Sequence, residues 1–212
     1  MKIALINGSP KAGKSNSDWF LEKLAERLGK EHEIARYNIA KQPITDYREL
    51  YQMEAIIFAF PLYIDAIPSR LFKMMIEMEQ CKSCSNEKAP IVYAIINNGF
   101  YEGRQNHIAL DIIKNWCARA GLHYGQGIGQ GAGEMMGFVD YVPLGHGPLK
   151  NLGKALNTLT QNIEACKGGE DILFSPNWPR FAWRYMATHY FWHKMAKDNG
   201  LKIRDIKKRT GR

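Results

Sequence analysis

The chain has 212 residues, 45% of them hydrophobic and 24% charged, an ordinary globular composition with enough length for one domain and a full core. No run approaches the roughly 18 apolar residues of a membrane span, the N-terminus opens directly into an apolar run rather than a leader, and four unevenly spaced cysteines make no secreted disulfide framework; a reducing cytoplasm is the expected compartment. The net charge of +8 is uneven: residues 194–212 hold eight Lys/Arg against Asp198 and Asp205, and the other 193 residues carry 21 basic and 19 acidic groups. Such a tail attracts phosphate-bearing ligands, nucleic acid or anionic lipid, or simply stays solvated; no nucleic-acid partner is expected.

Lys2 to Ile6 is a short apolar run. It feeds the loop Asn7-Gly8-Ser9-Pro10-Lys11-Ala12-Gly13-Lys14-Ser15-Asn16-Ser17. Phe20, Leu21, Leu24, Ala25 and Leu28 then recur at three- and four-residue spacing, which predicts a helix from about Ser17 to Gly29. His32 to Ile39 alternates like an edge strand, and Lys41 to Glu49 is a polar stretch broken by Pro43. Ala55 to Phe60 and Pro90 to Ile96 are continuously apolar, as is Ile3 to Ile6, and read as strands covered on both faces. Helices are predicted after Pro68 (Leu71, Phe72, Met75, Ile76, Met78), from about Gln105 to Ala120, and through Leu149, Leu152, Leu156, Leu159 and Ile163 as far as Gly168-Gly169. A weak strand falls near His123 to Ile128. The expected fold class is α/β, a three-layer sandwich around a five-stranded parallel sheet in the order 2-1-3-4-5 with an extra C-terminal helix. The expected division is a body over residues 1–170 and an aromatic, basic extension over 171–212.

In such a sheet the ligand lies outside the carboxyl ends of the strands, where the strand order reverses. Three loops meet that description: Ser9 to Ser17, Pro61 to Pro68 and Asn97 to Gly103. The first joins a strand to a helix N-terminus, whose unpaired N–H groups and partial positive charge suit an anion. Gly8 to Ser15 also spells G-x-x-x-x-G-K-S, the phosphate loop of nucleotide triphosphatases. That pattern needs a second strand ending in a magnesium-binding Asp. The later strands end at Phe60-Pro61 and Asn97-Asn98, so the match is read as chance. The second and third loops carry Tyr63, Phe100 and Tyr101, flat side chains suited to a planar ring, with N–H groups near Asn98 and Gly99 for its polar edge.

Asn7-Gly8-Ser9-Pro10 followed by Ser15-Asn16-Ser17 resembles the FMN phosphate loop of the flavodoxin-like NAD(P)H-dependent oxidoreductases. Pro61-Leu62-Tyr63, followed by Pro68 and a helix, is similar to the second flavin loop of that group. Asn98-Gly99-Phe100-Tyr101-Glu102 is similar to the Gly-Phe-x-Glu stretch of the third. The resemblance implies bound FMN, with its phosphate on Ser9, Lys11, Ser15, Asn16 and Ser17. Its ring would lie against Pro61, Leu62, Tyr63, Ile64, Asn97, Asn98, Gly99, Phe100 and Tyr101. It also implies NADPH or NADH as co-substrate, a small acceptor such as a quinone, free flavin, nitro or azo compound, and ping-pong turnover on one flavin face. No side chain is then an obligate acid or base, and Tyr63, Asn98 and Tyr101 are the candidates for orienting flavin or substrate. A flavodoxin-type electron carrier is the alternative, and a phosphotransferase a more distant one.

Cys81 and Cys84 form a single C-x-x-C, read as surface thiols with a redox pair as the alternative. Neither an iron–sulfur set nor a metal site is expected, because further ligands are not nearby in sequence. The glycines at 125, 127, 129, 131 and 133 read as a flexible or edge segment, with a lid formed together with Glu134-Met135-Met136 as the alternative. Finally, Pro179 and Asn199-Gly200 bracket a helix bearing Phe181, Trp183, Tyr185, Tyr190, Phe191 and Trp192 over more than one stripe. Such a helix must bury its aromatic surface. The expectation is packing partly on the body and partly against a second subunit in a two-fold dimer, with contact to a membrane surface as the alternative.

Overall fold

The computed structural model describes residues 1–81 and 88–208. By internal contacts they divide into two compact units, Met1–Pro176 and Asn177–Arg212. Residues 171–176, expected with the C-terminal extension, therefore fall with the sheet.

The first unit is built on β1 (Lys2–Asn7), β2 (Glu33–Asn38), β3 (Ala55–Pro61), β4 (Ile91–Asn97), β5 (His123–Gln130) and β6 (Ile172–Phe174). All pairings are parallel, in the order β2-β1-β3-β4-β5-β6. Parallel strands need crossovers, and the helices α1 (Asn16–Leu28), α3 (Ser69–Gln80), α4 (His107–Ala120) and α6 (Lys150–Glu164) supply them. Two shorter helices, α2 (Tyr47–Tyr51) and α5 (Met136–Val139), lie in the connections. Strand alternation sorts the side chains onto two faces. Ile6, Phe58, Val92 and Ile96 pack with Leu71, Met75 and Ile113 from α3 and α4. Ile3, Leu5, Ile57 and Ile95 pack with Leu24 of α1 and Leu156 of α6. Each such side chain contributes about 1.5–3 kcal/mol on leaving water, so both helical layers are held independently. Met74, Met75 and Met78 are core residues. Trp116 donates from Nε1 to the Met75 carbonyl at 2.8 Å and meets Phe58 edge-to-face.

The expected sheet of five strands has six. Ile172-Leu173-Phe174 is too short to carry a periodic signal, and what places it is polar. Tyr124 donates its hydroxyl to Asp171 at 2.6 Å, the Gly127 N–H donates to the same oxygen at 2.8 Å, and Lys114 pairs with the other oxygen. Asp171 raises the pKa of Lys114 above the usual ammonium range, and burial together with Asp171 raises that of the Tyr124 phenol. This anchor sets the chain beside β5 just where β6 starts.

The glycine-rich stretch is therefore an edge only in part. Gly125, Gly127 and Gly129 lie in β5, where β6 pairs with Ile128–Gln130 alone, and beside Gly125 and Gly127 the chain bonds instead through the Gly169 N–H and the Asp171 carboxylate. The register shifts between Val92 and Tyr93, where Gly125 leaves room for the buried Tyr93 ring. The polar stretch before residue 50 forms α2, capped by Asp46 and sealed by buried Leu50 and Tyr51.

Cys81, read as a surface thiol, is disulfide-bonded, and Cys84 lies outside the described residues. Cys117 is buried and Cys166 exposed. Burial pushes the Cys117 thiol up to about 12, so its thiolate fraction at pH 8 is about one part in ten thousand. A maleimide at pH 8 is expected to label Cys166 and leave Cys117 unmodified in the folded chain, as read by peptide mass mapping.

In the second unit, α7 (Arg180–Met186), a π-helical stretch (Ala187–Trp192) and α8 (His193–Asp198) run on without a break. The expected brackets hold. Pro179 occupies the N-cap, and Gly200 turns the chain out at φ 71°. The π stretch shifts the helical register, so aromatic side chains project in several directions rather than along one stripe. A 3-10 turn over Ile203–Lys207 follows.

Candidate functional site

β1 and β3 are neighbours, yet the chain leaves β1 for β2 on one side and returns to β3 on the other. The strand order therefore reverses at β1/β3, and a crevice opens at their carboxyl ends. Four connections converge there, and hydrogen bonds tie them together. Asn16 of the first loop donates from Nδ2 to the Gly133 carbonyl at 2.8 Å. The Gly133 and Ala132 N–H groups donate to the carbonyls of Asn98 and Phe100 in the third loop. The second loop joins the third through the Leu62 N–H and the Asn97 carbonyl at 2.8 Å. The segment after β5, read as a lid, is thus a bonded part of the site, and Met136 behind it is buried.

The first loop is organised by Asn7 and Asp18, neither of which carries a role in the sequence motif. Asn7, at the tip of β1, is buried. Its Oδ1 accepts from the Ser9 N–H at 2.8 Å, and its Nδ2 donates to Ser15 and Asp18. Asp18 forms a capping box with Ser15 at the N-terminus of α1. The Ser15 hydroxyl is thereby held by Asp18 at 2.9 Å. A magnesium-binding role for that hydroxyl, as the phosphate-loop pattern would need, has no support here, and neither β3 nor β4 ends in an acid. Buried Ser9 accepts from the Lys11 N–H. Lys11 and Lys14 are exposed. Ser17 is different. It sits in the first turn of α1, it is 1% exposed, and its Oγ is buried with no hydrogen-bond partner. A buried hydroxyl left unpaired costs about 1–3 kcal/mol.

The second loop is a tight turn. Tyr63 and Ala66 exchange backbone hydrogen bonds at 3.1 Å in both directions. Ile64 and Asp65 between them have φ 50° and 58°, the left-handed values of a type I′ turn. Asp tolerates this conformation, but a β-branched residue is strained by it. Ile64 is also 99% exposed, so no packing repays the strain. Tyr63 (48%) stands beside it, and Phe100 (56%) stands on the third loop. Ile64→Asn is expected to raise the melting temperature by about 2–4 °C, the equivalent of ~1 kcal/mol. If Ile64 serves a ligand, the same variant retains that ligand less well. A variant with both properties unchanged would leave the strain without a role.

In the third loop the Asn98 N–H, expected to face a ring edge, donates instead to the Gln130 carbonyl at 3.1 Å. That leaves Gly99 as the loop's candidate backbone donor. Asn97 is buried and donates to the Phe60 carbonyl. Tyr101 is half-buried. Asn98 Oδ1, Asn106 Oδ1 and Gln130 Oε1 are buried without partners. With Ser17 Oγ they form a set of unsatisfied polar atoms on the loops and strand tip at this end of the sheet. β1, β4 and β5 each end on an amide (Asn7, Asn97, Gln130), the available sequence signal at this end of the sheet, while β3 ends on Pro61. The set fits a phosphorylated planar cofactor: a hydroxyl at a helix N-terminus for the phosphate, and amides with two exposed aromatic rings for the ring system.

The strand order, the two helical layers and the crevice at the reversal point define a flavodoxin-like α/β protein. Solved structures agree with that fold. An apo NADH:FMN oxidoreductase (EMOB) shares 13% identity over 86% of this chain and 98% of its own, with a TM-score of 0.54. An NADPH-quinone reductase from P. pentosaceus shares 14% identity over 76% and 96%, with a TM-score of 0.53. A short-chain flavodoxin associated with a bacterial microcompartment shares 10% identity over 78% and 98%, also at 0.53. No protein-family model matches the sequence, and no match is found among curated proteins.

Proposed function

We infer that the chain is an FMN-dependent reductase that takes electrons from NADH or NADPH and passes them to a small acceptor, such as a quinone, free flavin, nitro or azo compound. One observation carries the reading: four loops at the switch point are bonded into one surface that holds buried, unpartnered polar atoms, Ser17 Oγ at a helix N-terminus foremost. One solved likeness is named an NADH:FMN oxidoreductase and another an NADPH-quinone reductase.

Ser9, Ser17 and the first N–H groups of α1 would hold the phosphate, with Lys11 adding long-range attraction. Ser15 and Asn16 would line the phosphate as well, their side chains also bracing the loop through Asp18 and the Gly133 carbonyl. Pro61, Leu62, Ile64, Asn97 and the Gly99 backbone would border the ring. Tyr63 and Phe100 would cover it and exclude water, while Asn98 and Tyr101 orient the ring or the substrate. Bound there, FMN supplies the two-electron chemistry, so the chain needs no nucleophile or obligate acid of its own. An open face that admits a nicotinamide and then the acceptor gives ping-pong kinetics.

The test is the visible spectrum of the protein reconstituted with FMN, before and after anaerobic NADPH or NADH. Retained flavin that bleaches supports the reductase. Retained flavin that neither nicotinamide bleaches makes the chain an electron carrier, in line with its likeness to a flavodoxin. No retained flavin ends both readings. Tyr63→Ala and Phe100→Ala are each expected to lower flavin retention by about fivefold or more, given ~1 kcal/mol or more from each ring contact, with an unchanged far-ultraviolet spectrum. Two variants that both retain flavin like the parent would place the ring elsewhere.

A further inference from the structure

The second unit carries the molecule's whole net charge. Residues 177–212 hold ten Lys/Arg against two Asp, a net of +8, and the nineteen basic and nineteen acidic groups of the first unit cancel. Both acids are taken within the unit: Asp198 pairs with Lys194, and Asp205 with Lys208. The same unit exposes apolar bulk. Phe181 is 78% exposed, and Tyr185, Tyr190, Trp192, Met195, Ile203 and Ile206 are also exposed. Between the π stretch and the 3-10 turn lies an open cleft of about 860 Å³, lined by Thr188, Trp192, His193, Ile203, Arg204, Ile206 and Lys207. Its lining is mainly apolar, with the cationic side chains of Arg204 and Lys207 among it.

We propose that the Asn177–Lys208 unit docks on an anionic phospholipid bilayer, with Trp192, Ile203 and Ile206 entering the interface and Arg204 and Lys207 meeting lipid phosphates. Charge complementarity chooses this occupant. A second copy would bring one +8 unit against another, and the near-neutral first unit offers no opposite field. Trp and Tyr favour the depth of lipid headgroups, and Lys and Arg reach past them to phosphate while their stems lie on apolar surface. Each basic residue near an anionic surface adds to the attraction, and salt weakens it. No helix of the described residues is long and apolar enough to cross a membrane, so the contact is interfacial. The inference does not depend on the flavin reading.

The experiment is co-sedimentation of the full chain with vesicles of phosphatidylcholine alone, or with one-third phosphatidylglycerol, at low and high salt, with tryptophan emission recorded in parallel. Binding is expected only with phosphatidylglycerol, with a blue shift and loss at high salt. Trp192→Ser and Lys207→Glu should each weaken it about tenfold or more, while Lys23→Glu on α1 leaves it unchanged. Circular dichroism shows that each variant is folded. Absence of binding, or equal binding to both vesicles, overturns the proposal. So does a dimer in sedimentation that Trp192→Ser dissolves, which would give the face to a second copy. Tighter, salt-sensitive binding to duplex DNA than to vesicles, lost in Lys207→Glu, would give it to nucleic acid and overturn the proposal equally.

Discussion

Ser17→Asp is expected to weaken FMN binding at least tenfold, about 1.4 kcal/mol, read as the dissociation constant in a reconstitution titration. The parent residue places a buried, unpartnered hydroxyl in the first turn of α1. A helix N-terminus favours one negative charge there. It already has one in Asp18, whose carboxylate is held by Asn7 and by the Ser15 N–H and hydroxyl. A second carboxylate competes directly with the phosphate dianion. Folding is expected to suffer as well, because Ser17 is buried and an unpaired carboxylate there costs more than the helix dipole returns. Affinity is therefore compared among variants shown to be folded by circular dichroism, and unchanged flavin affinity would remove Ser17 from the phosphate site. Ser17→Ala gives the milder contrast, since it deletes the donor without adding charge.

Gly131→Ala should lower the melting temperature by about 4–10 °C, corresponding to ~2–3 kcal/mol of overpacking. A Cβ at Gly131 would meet the Tyr101 carbonyl, and the Gly103 nitrogen would stand 2.8 Å away. Both neighbours are backbone, and neither can rotate aside. The third loop must shift, so flavin retention should fall together with stability. Gly137→Ala is the control. Nothing lies within 4 Å of its added carbon, and it sits in α5, where Ala is the better helix former by roughly 0.8–1 kcal/mol. A Gly131→Ala chain as stable as its parent would show that the loop yields freely.

The parts of the fold that could be read from sequence are those with a period. The continuous apolar runs of β1, β3 and β4 and the spaced leucines of α1 and α6 have direct counterparts in the structure, within a few residues at each end. What escaped was set by single polar contacts. β6 is three residues long, and Asp171 places it. The alternating glycines look like a weak edge because sequence shows only that side chains are missing. The structure shows Tyr93, Leu110 and the Tyr101 backbone filling the space. The three loops were legible through their position after apolar strands. The roles inside them were not, because Ser15, Asn16 and the Asn98 N–H are committed to partners distant or hidden in the sequence. The charge of the tail was visible, but the division at residue 176 that isolates all of it was not.

The lateness of β6 has a consequence for synthesis on the ribosome. β1 to β5 can assemble as the chain emerges, but the outer edge of β5 stays unpaired until residues 172–174 have been made. An open strand edge invites pairing with a neighbouring nascent chain. The part of that edge that β6 covers is Ile128–Gln130, with Gly129 at its centre, and glycine makes a weak strand with little side-chain surface to offer a stranger. The same absent side chain that lets Leu173 and Asn106 close on Gly129 in the finished sheet would leave the growing polypeptide a poorer template for aggregation during the interval before β6 arrives.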